Sequence, residues 1–305
     1  MNINKTVLIK GKQEQLIKYV INHLLPDVDT LQIQESEFQN ILTDKNYNTP
    51  RNSWTKLVLP ISNNKDYQNL MLRFDKKLRI GRILEILDLL SGFVSYKHCN
   101  FDYYQNNQVI IVTACADNVK FYKYISPQED IVIQSYVCYV GKSSIEVQND
   151  IYQQNELIVI QLKKYLFFYK YLKERNLHNK IFGGFLARIL IEAGWLCGYY
   201  HVKGQEIPEI VNLTDIQFIE PVNIGDSIQV ISHVSYILDN YMDVKIQAKI
   251  VNPTNIQDSK VTTGMHLILK CQNQINDVIP QTYEHGILYL EGKRLIWFLP
   301  SFLVD

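Results

Sequence analysis

The sequence predicts an α+β protein in which one unit, a long buried helix followed by a meander of antiparallel strands, is used twice. Three observations carry this. Residues 78–97 and 181–200 are largely apolar runs with few charges, the composition of helices buried on most sides. Each run is followed by strand-like segments in the same order, several with apolar residues at every second position. Landmarks recur at nearly constant spacing: Asp117 answers Asp215 at 98 residues, and Val147 answers Val244 at 97. A sheet packed on one helix, twice over, is an α+β layer arrangement.

The elements follow in order. The first 25 residues carry Lys5, Lys10, Lys12 and Lys18 against a single acid, Glu14. Leu16, Ile17, Val20, Ile21, Leu24 and Leu25 recur at helical spacing, and Pro26 stops the pattern. Such a start has a weak likeness to a mitochondrial address, because it has no Arg and little Ser, and it is expected to stay on the chain. An ordinary docking helix explains it equally well. Trp54–Leu59 reads as a leading strand. After the first long helix come strands at Val109–Ala116, Ile131–Tyr139, Ser144–Tyr152 and Tyr165–Leu172. After the second come Ile210–Phe218, Ser227–Ile237, Met242–Val251 and Val261–Cys271. Hairpins are expected to reverse at Gly141-Lys142 and Asp239-Asn240. The second copy has no counterpart of the leading strand. The apolar C-terminal run Leu295–Phe302 is expected to be a docking tail.

Composition narrows the functions. The 305 residues hold 31 Lys plus Arg and 31 Asp plus Glu, for a formal net charge of zero. That argues against a surface built to grip nucleic acid. No apolar run reaches the roughly 18 residues of a membrane helix. Cys99, Cys115, Cys138, Cys197 and Cys271 are odd in number and form no C-x-x-C pair, so no metal site is expected. Gly141-Lys142-Ser143 lacks the earlier glycine of a phosphate loop and reads as turn chemistry. His98-Cys99 and His178 are not ordered into a nucleophilic triad.

One position stands out. Asp88 lies in the middle of the first apolar helix, where an unpaired charge would be costly, so it needs a partner or a task. At the matching place in the second helix stands Ile191, and Glu192 one residue on is turned about 100° away. The two copies are therefore not equivalent. Gly183 and Gly184 open the second helix, where free N–H groups and the helix dipole favour developing negative charge.

The sequence resembles the mitochondrial acyl-coenzyme A thioesterases of the double hotdog type (thioesterase 9-like). The likeness rests on Gly81 to Glu85 with Asp88, on Val137 to Val147 and on Asn179 to Leu186. Asp215-Ile216 with Pro221-Val222 and Gly225, Thr262-Thr263, and Leu288 to Gly292 add to it. The resemblance implies a tandem hotdog, each copy a long central helix wrapped by an antiparallel sheet. It divides the chain into an N-terminal extension at 1–51, a first hotdog at 52–174, a second at 175–294 and a tail at 295–305. It implies hydrolysis of fatty acyl-CoA to free acid and CoA, without a cofactor, at one composite site. Asp88 would be the catalytic carboxylate, Asn179 the holder of water or the thioester carbonyl, and Gly183 and Gly184 the oxyanion turn. It also implies a mitochondrial protein that forms homo-oligomers or a larger assembly. The chain departs from the family in its nearly absent connector between copies and in Ile86, where a second acid is usual. These departures leave open a catalytically silent scaffold, an accessory subunit of a large mitochondrial assembly, or an acyl-CoA binder without turnover.

Overall fold

The computed structural model describes residues 32–35, 48–99, 110–117, 119–141, 144–169, 181, 183–223, 225–252 and 255–297. The expected N-terminal helix, Lys142, Asn179 and the tail beyond Trp297 lie outside the described residues. Two compact units are present. Described residues up to Ala114, with Tyr122 to Tyr169, form the first; Cys115–Phe121 with those from Ile181 onward form the second.

The first unit runs β1 (Gln32–Glu35), α1 (Pro50–Ser53), β2 (Thr55–Leu59), α2 (Lys65–Met71), α3 (Ile80–His98), β3 (Ile110–Asp117), β5 (Ile131–Val140), β6 (Ser144–Gln153) and β7 (Glu156–Tyr169). A short strand, β4 (Val119–Phe121), belongs to the second unit, as do the last residues of β3. The strand order is β1-β2-β5-β6-β7-β3. Helix α3 is buried over most of its length, through Ile83, Leu84, Leu87, Leu90, Phe93 and Val94. That is why its sequence lacks a polar stripe of normal width. Lys97 and His98 sit in its last turn, where positive charge suits the C-terminal end of the dipole. Strand β2 alternates buried and half-buried residues and pairs with β5 from Thr55↔Ser135 to Leu59↔Ile131. Strand β7 starts nine residues before the Tyr165 expected from sequence. The reason is the turn at Gln154-Asn155: both residues have positive φ, as a two-residue hairpin turn requires, so β7 follows β6 at once.

The second unit runs α4 (Gly183–His201), β8 (Glu209–Phe218), β9 (Ile228–Leu238), β10 (Tyr241–Asn252), β11 (Asn255–Lys270) and α5 (Tyr283–Trp297). Its strand order is β8-β11-β10-β9, and Cys115, Ala116, Val119 and Lys120 pair with β8. The meander thus repeats that of the first unit: β5 and β9 begin 97 residues apart, as do β6 and β10. The architecture is a tandem hotdog, and among the described residues the second copy has no leading strand. Gly194 and Gly198 are why α4 lies so close to its sheet. A Cβ at either would meet Ile246 or Leu269 at 2.3 Å. Asp239 takes positive φ at the β9–β10 turn, in the place expected for a reversal.

Helix α5 was not expected from sequence, and it crosses position 294/295, where the tail was to begin. Its start is nonetheless written in the chain. Thr282 Oγ1 accepts the His285 N–H at 3.1 Å, Glu284 lies in the first turn, and Arg294 lies in the last. The helix packs Ile296, Tyr289 and Leu295 on Tyr236, Tyr241 and Ile268. The Tyr236 and Tyr289 rings meet edge to face at 4.9 Å.

Candidate active site

Asp88 lies at the centre of α3 and is 8% exposed. It accepts a hydrogen bond from Thr113 Oγ1 of β3 at 2.8 Å. The Thr113 hydroxyl is thus one donor from the sheet that fixes the direction of this carboxylate. Asp88 belongs to a buried polar stripe at helical spacing: Glu85, Asp88, Ser91 and Ser95. Glu85 pairs with Arg82 at 2.9 Å. Ser91 donates to Leu87 O at 2.7 Å and accepts from Asn149 Nδ2 at 3.0 Å; Asn149 Oδ1 in turn accepts from Ser135 Oγ at 2.6 Å. A run that reads as uniformly buried thus contains one satisfied polar seam between helix and sheet. Thr113, Ser135 and Asn149 were not legible as part of it. Each is an ordinary strand residue until pairing register places it opposite the helix.

In the second unit, Gly183 and Gly184 open α4 as expected. A Cβ at Gly183 would meet the Phe218 ring at 3.0 Å, so this glycine lets the ring pack against the helix start. Ile191 is buried, whereas Glu192 is 42% exposed at its side chain and lies 3.8 Å from Arg188. The second helix therefore buries no carboxylate. The candidates divide between the units: Asp88 lies in the first, Gly183 and Gly184 in the second, and Asn179 outside the described residues.

The cysteine–histidine alternative finds no support. Burial pushes the Cys99 thiol up to about 11 and lowers the His98 imidazole, so neither thiolate nor imidazolium is favoured.

Ser235, Asp243 and His266 form a second buried group, on the sheet face beneath α5. His266 Nδ1 lies 2.8 Å from Asp243 Oδ2, and Ser235 Oγ donates to that same oxygen. His266 Nε2 lies 2.9 Å from Lys245 Nζ. The ammonium can only donate, so Nε2 accepts and the ring proton sits on Nδ1, toward Asp243. The residue types are those of a hydrolytic triad, but the order is not. The carboxylate stands between serine and histidine, and nothing activates the hydroxyl. Glu291 of α5 closes the group, 3.7 Å from both Lys245 and His266. The cluster holds α5 on the sheet.

The thioesterase superfamily model matches residues 80–160. Mitochondrial acyl-coenzyme A thioesterase 9 from Bos taurus is 24% identical over 346 aligned positions, covering 81% of this chain and 78% of the relative. The Homo sapiens protein of the same name is 23% identical and covers 80% and 77%. The alignment to the bovine protein is longer than this entire chain, so that relative carries stretches that are lacking here. Among solved structures, an acyl-ACP thioesterase from Bacteroides thetaiotaomicron superposes with a TM-score of 0.53 at 9% identity, covering 73% of this chain and all of that one. A 12:0-ACP thioesterase from Umbellularia californica gives 0.52 at 6%, covering 72% and 94%. These two likenesses concern the fold.

Proposed function

We infer, from this kinship with acyl-coenzyme A thioesterases, that the chain hydrolyses acyl-CoA to a free acid and CoA. The observation that carries the reading is the buried, hydroxyl-anchored carboxylate of Asp88 in the segment that matches the thioesterase model. Asp88 takes a proton from water as the water oxygen attacks the thioester carbonyl. The tetrahedral oxyanion is held by the N–H groups of Gly183 and Gly184 at the helix start, with Asn179 orienting the water or the carbonyl. The C–S bond then breaks, the thiolate leaves, and the proton held by Asp88 neutralises it. No cofactor is required. One site per chain is part of this reading, because only the first of the two long helices buries a carboxylate. Residues 52–174 and 175–294 serve as the two hotdogs, and likeness to the relatives points to mitochondria.

The test is hydrolysis of acyl-CoAs of several chain lengths by the purified chain and by Asp88→Asn. Loss of a general base lowers kcat roughly 10²–10⁴-fold. Equal rates for the two proteins would refute the assignment. A second reading, a silent scaffold within a larger assembly, is favoured by the exposed apolar residues Tyr283, Ile287, Leu290 and Trp297 of α5. It predicts no turnover by the wild type and co-purification with stable companions.

A further inference from the structure

The duplication supplies its own control for what ought to cover an edge. In the first unit, Ile131, Ile133 and Ser135 of β5 are fully buried, because β2 lies alongside with Leu59, Leu57 and Thr55 opposite them. The next edge amide, that of Val137, is capped by Ser53 Oγ at 3.0 Å. In the second unit the matching strand is β9. The amide of Val234, which answers Val137, is capped by the Cys197 sulfur. Ile228, Val230 and Ser232 answer Ile131, Ile133 and Ser135. They lie opposite Ile250, Ala248 and Ile246, and Ile246 packs on α4, so they share the face turned toward the helix. Yet all three are only half-buried, and among the described residues no strand pairs with that edge of β9. A cavity of about 540 Å³ continues along the same edge, lined by Cys197, Tyr200, His201, His233, Val234 and Ile279 among others.

The edge carries little of the usual protection. Over eleven residues, Ile228 to Leu238, β9 has no Lys, Arg, Asp, Glu or Pro, and its one register irregularity lies beyond Val234. Exposed edges are ordinarily blunted by charge, proline or a bulge; an uncharged edge of this length is one that is covered. Among the described residues there is no spare leading strand for this edge. Thirteen residues separate β7 from α4, against twenty between β2 and α3 with the strand itself in addition.

We propose that β9 pairs antiparallel with β9 of a second copy of this chain, across a two-fold axis near Val230. The segment is complementary to itself. An antiparallel copy centred on Val230 sets Ile228 opposite Ser232 and Val230 opposite Val230 on the helix side, with Gln229 opposite Ile231 on the other, and no like charges meet. It thereby offers the edge the same residue kinds that β2 offers β5: a small hydroxyl and two branched aliphatics. The pairing is strand addition to a sheet edge, with main-chain hydrogen bonds supplying the association and the alternating side chains its register. It does not depend on whether the chain is an active hydrolase.

Sedimentation of the full chain, hydrogen exchange of the β9 amides and cysteine cross-linking test it together. The wild type should dimerise at micromolar concentration, with the amides of 228–232 protected in the dimer. Gln229→Lys, at an exposed position, and Val230→Lys should each weaken the dimer roughly a hundredfold, because a two-fold interface meets the substitution twice. In a Cys138→Ser background, single cysteines placed in turn at 228–232 should form a disulfide dimer most readily at the residue on the axis. A monomeric wild type overturns the proposal: free amides would mean that nothing covers the edge, and protected ones that another segment of the same chain does. A dimer that forms no β9 cross-link and tolerates both lysines overturns it as well.

Discussion

Two glycines on α5, six residues apart, should respond to alanine in opposite directions. A Cβ at Gly292 would lie 2.6 Å from Ser235 Oγ, 2.7 Å from Asp243 Oδ2 and 2.9 Å from Tyr236 Cβ. None of these atoms is the end of a flexible chain. Tyr236 Cβ is fixed to β9, and the other two are locked in the buried cluster with His266. Overpacking of this kind costs about 1–3 kcal/mol. If α5 lifts instead, Glu291 leaves Lys245 and His266, and buried polar groups left without partners cost about 1–3 kcal/mol. Against this, alanine improves helix propensity by up to about 1 kcal/mol. Gly292→Ala should therefore destabilise the chain on balance, by up to about 2 kcal/mol. At Gly286 a Cβ meets nothing within 4 Å, so only the propensity operates. Gly286→Ala should stabilise by about 0.5–1 kcal/mol. Urea unfolding followed by tryptophan fluorescence reads both, with Trp297 on the same helix as a local reporter. If Gly292→Ala is as stable as the wild type, or if both variants shift the same way, the close seating of α5 on the cluster is wrong.

Further outcomes follow from single contacts. Thr113→Val removes the hydroxyl that orients Asp88 and should lower kcat by roughly ten- to a hundredfold with KM little changed, a hydrogen bond to a charged group contributing about 1.5–3 kcal/mol; a change confined to KM would place Thr113 in binding instead. Burial lowers His98 below its ordinary value, so the folded chain binds fewer protons than the unfolded one near that histidine. Its contribution to stability is whole above about pH 6.5 and is lost as the pH falls from there toward the lower folded-state value. Urea midpoints should drop over that window, and His98→Gln should flatten the drop. At pH 8, a thiol reagent should modify exposed Cys138 first, since burial raises Cys197 and pushes Cys99 and Cys271 up to about 11 and about 12. Cys138→Ser should remove the fast phase, and a fast phase that survives would place another thiol at the surface.

Much of this molecule was readable from its residues alone. The two long helices and the strand meanders behind them come from apolar periodicity, which is local and survives without tertiary knowledge. The burial of Asp88, and the outward turn of Glu192 beside the buried Ile191, follow from helical geometry at 100° per residue. The start of β7 and the existence of α5 have local signals too, in Gln154-Asn155 and in Thr282 with its capped first turn, but neither shows a strong apolar period.

What the chain alone could not reveal depends on register between strands distant in sequence. Asp88 finds its donor in Thr113 because β3 packs beside α3. Ser91 finds Asn149 and Ser135 because β5 and β6 pair as they do. Ser235, Asp243 and His266 look like catalytic residues until pairing places the aspartate between the other two. The sequence determined by itself that a helix-and-sheet unit occurs twice and that only the first helix carries a buried acid. Tertiary structure decided which hydroxyl holds that acid, which polar groups are scaffold, and that no strand among the described residues pairs with the uncharged edge of β9. Periodicity records which way each residue faces, whereas contacts across a sheet depend on alignments between strands that no local stretch encodes.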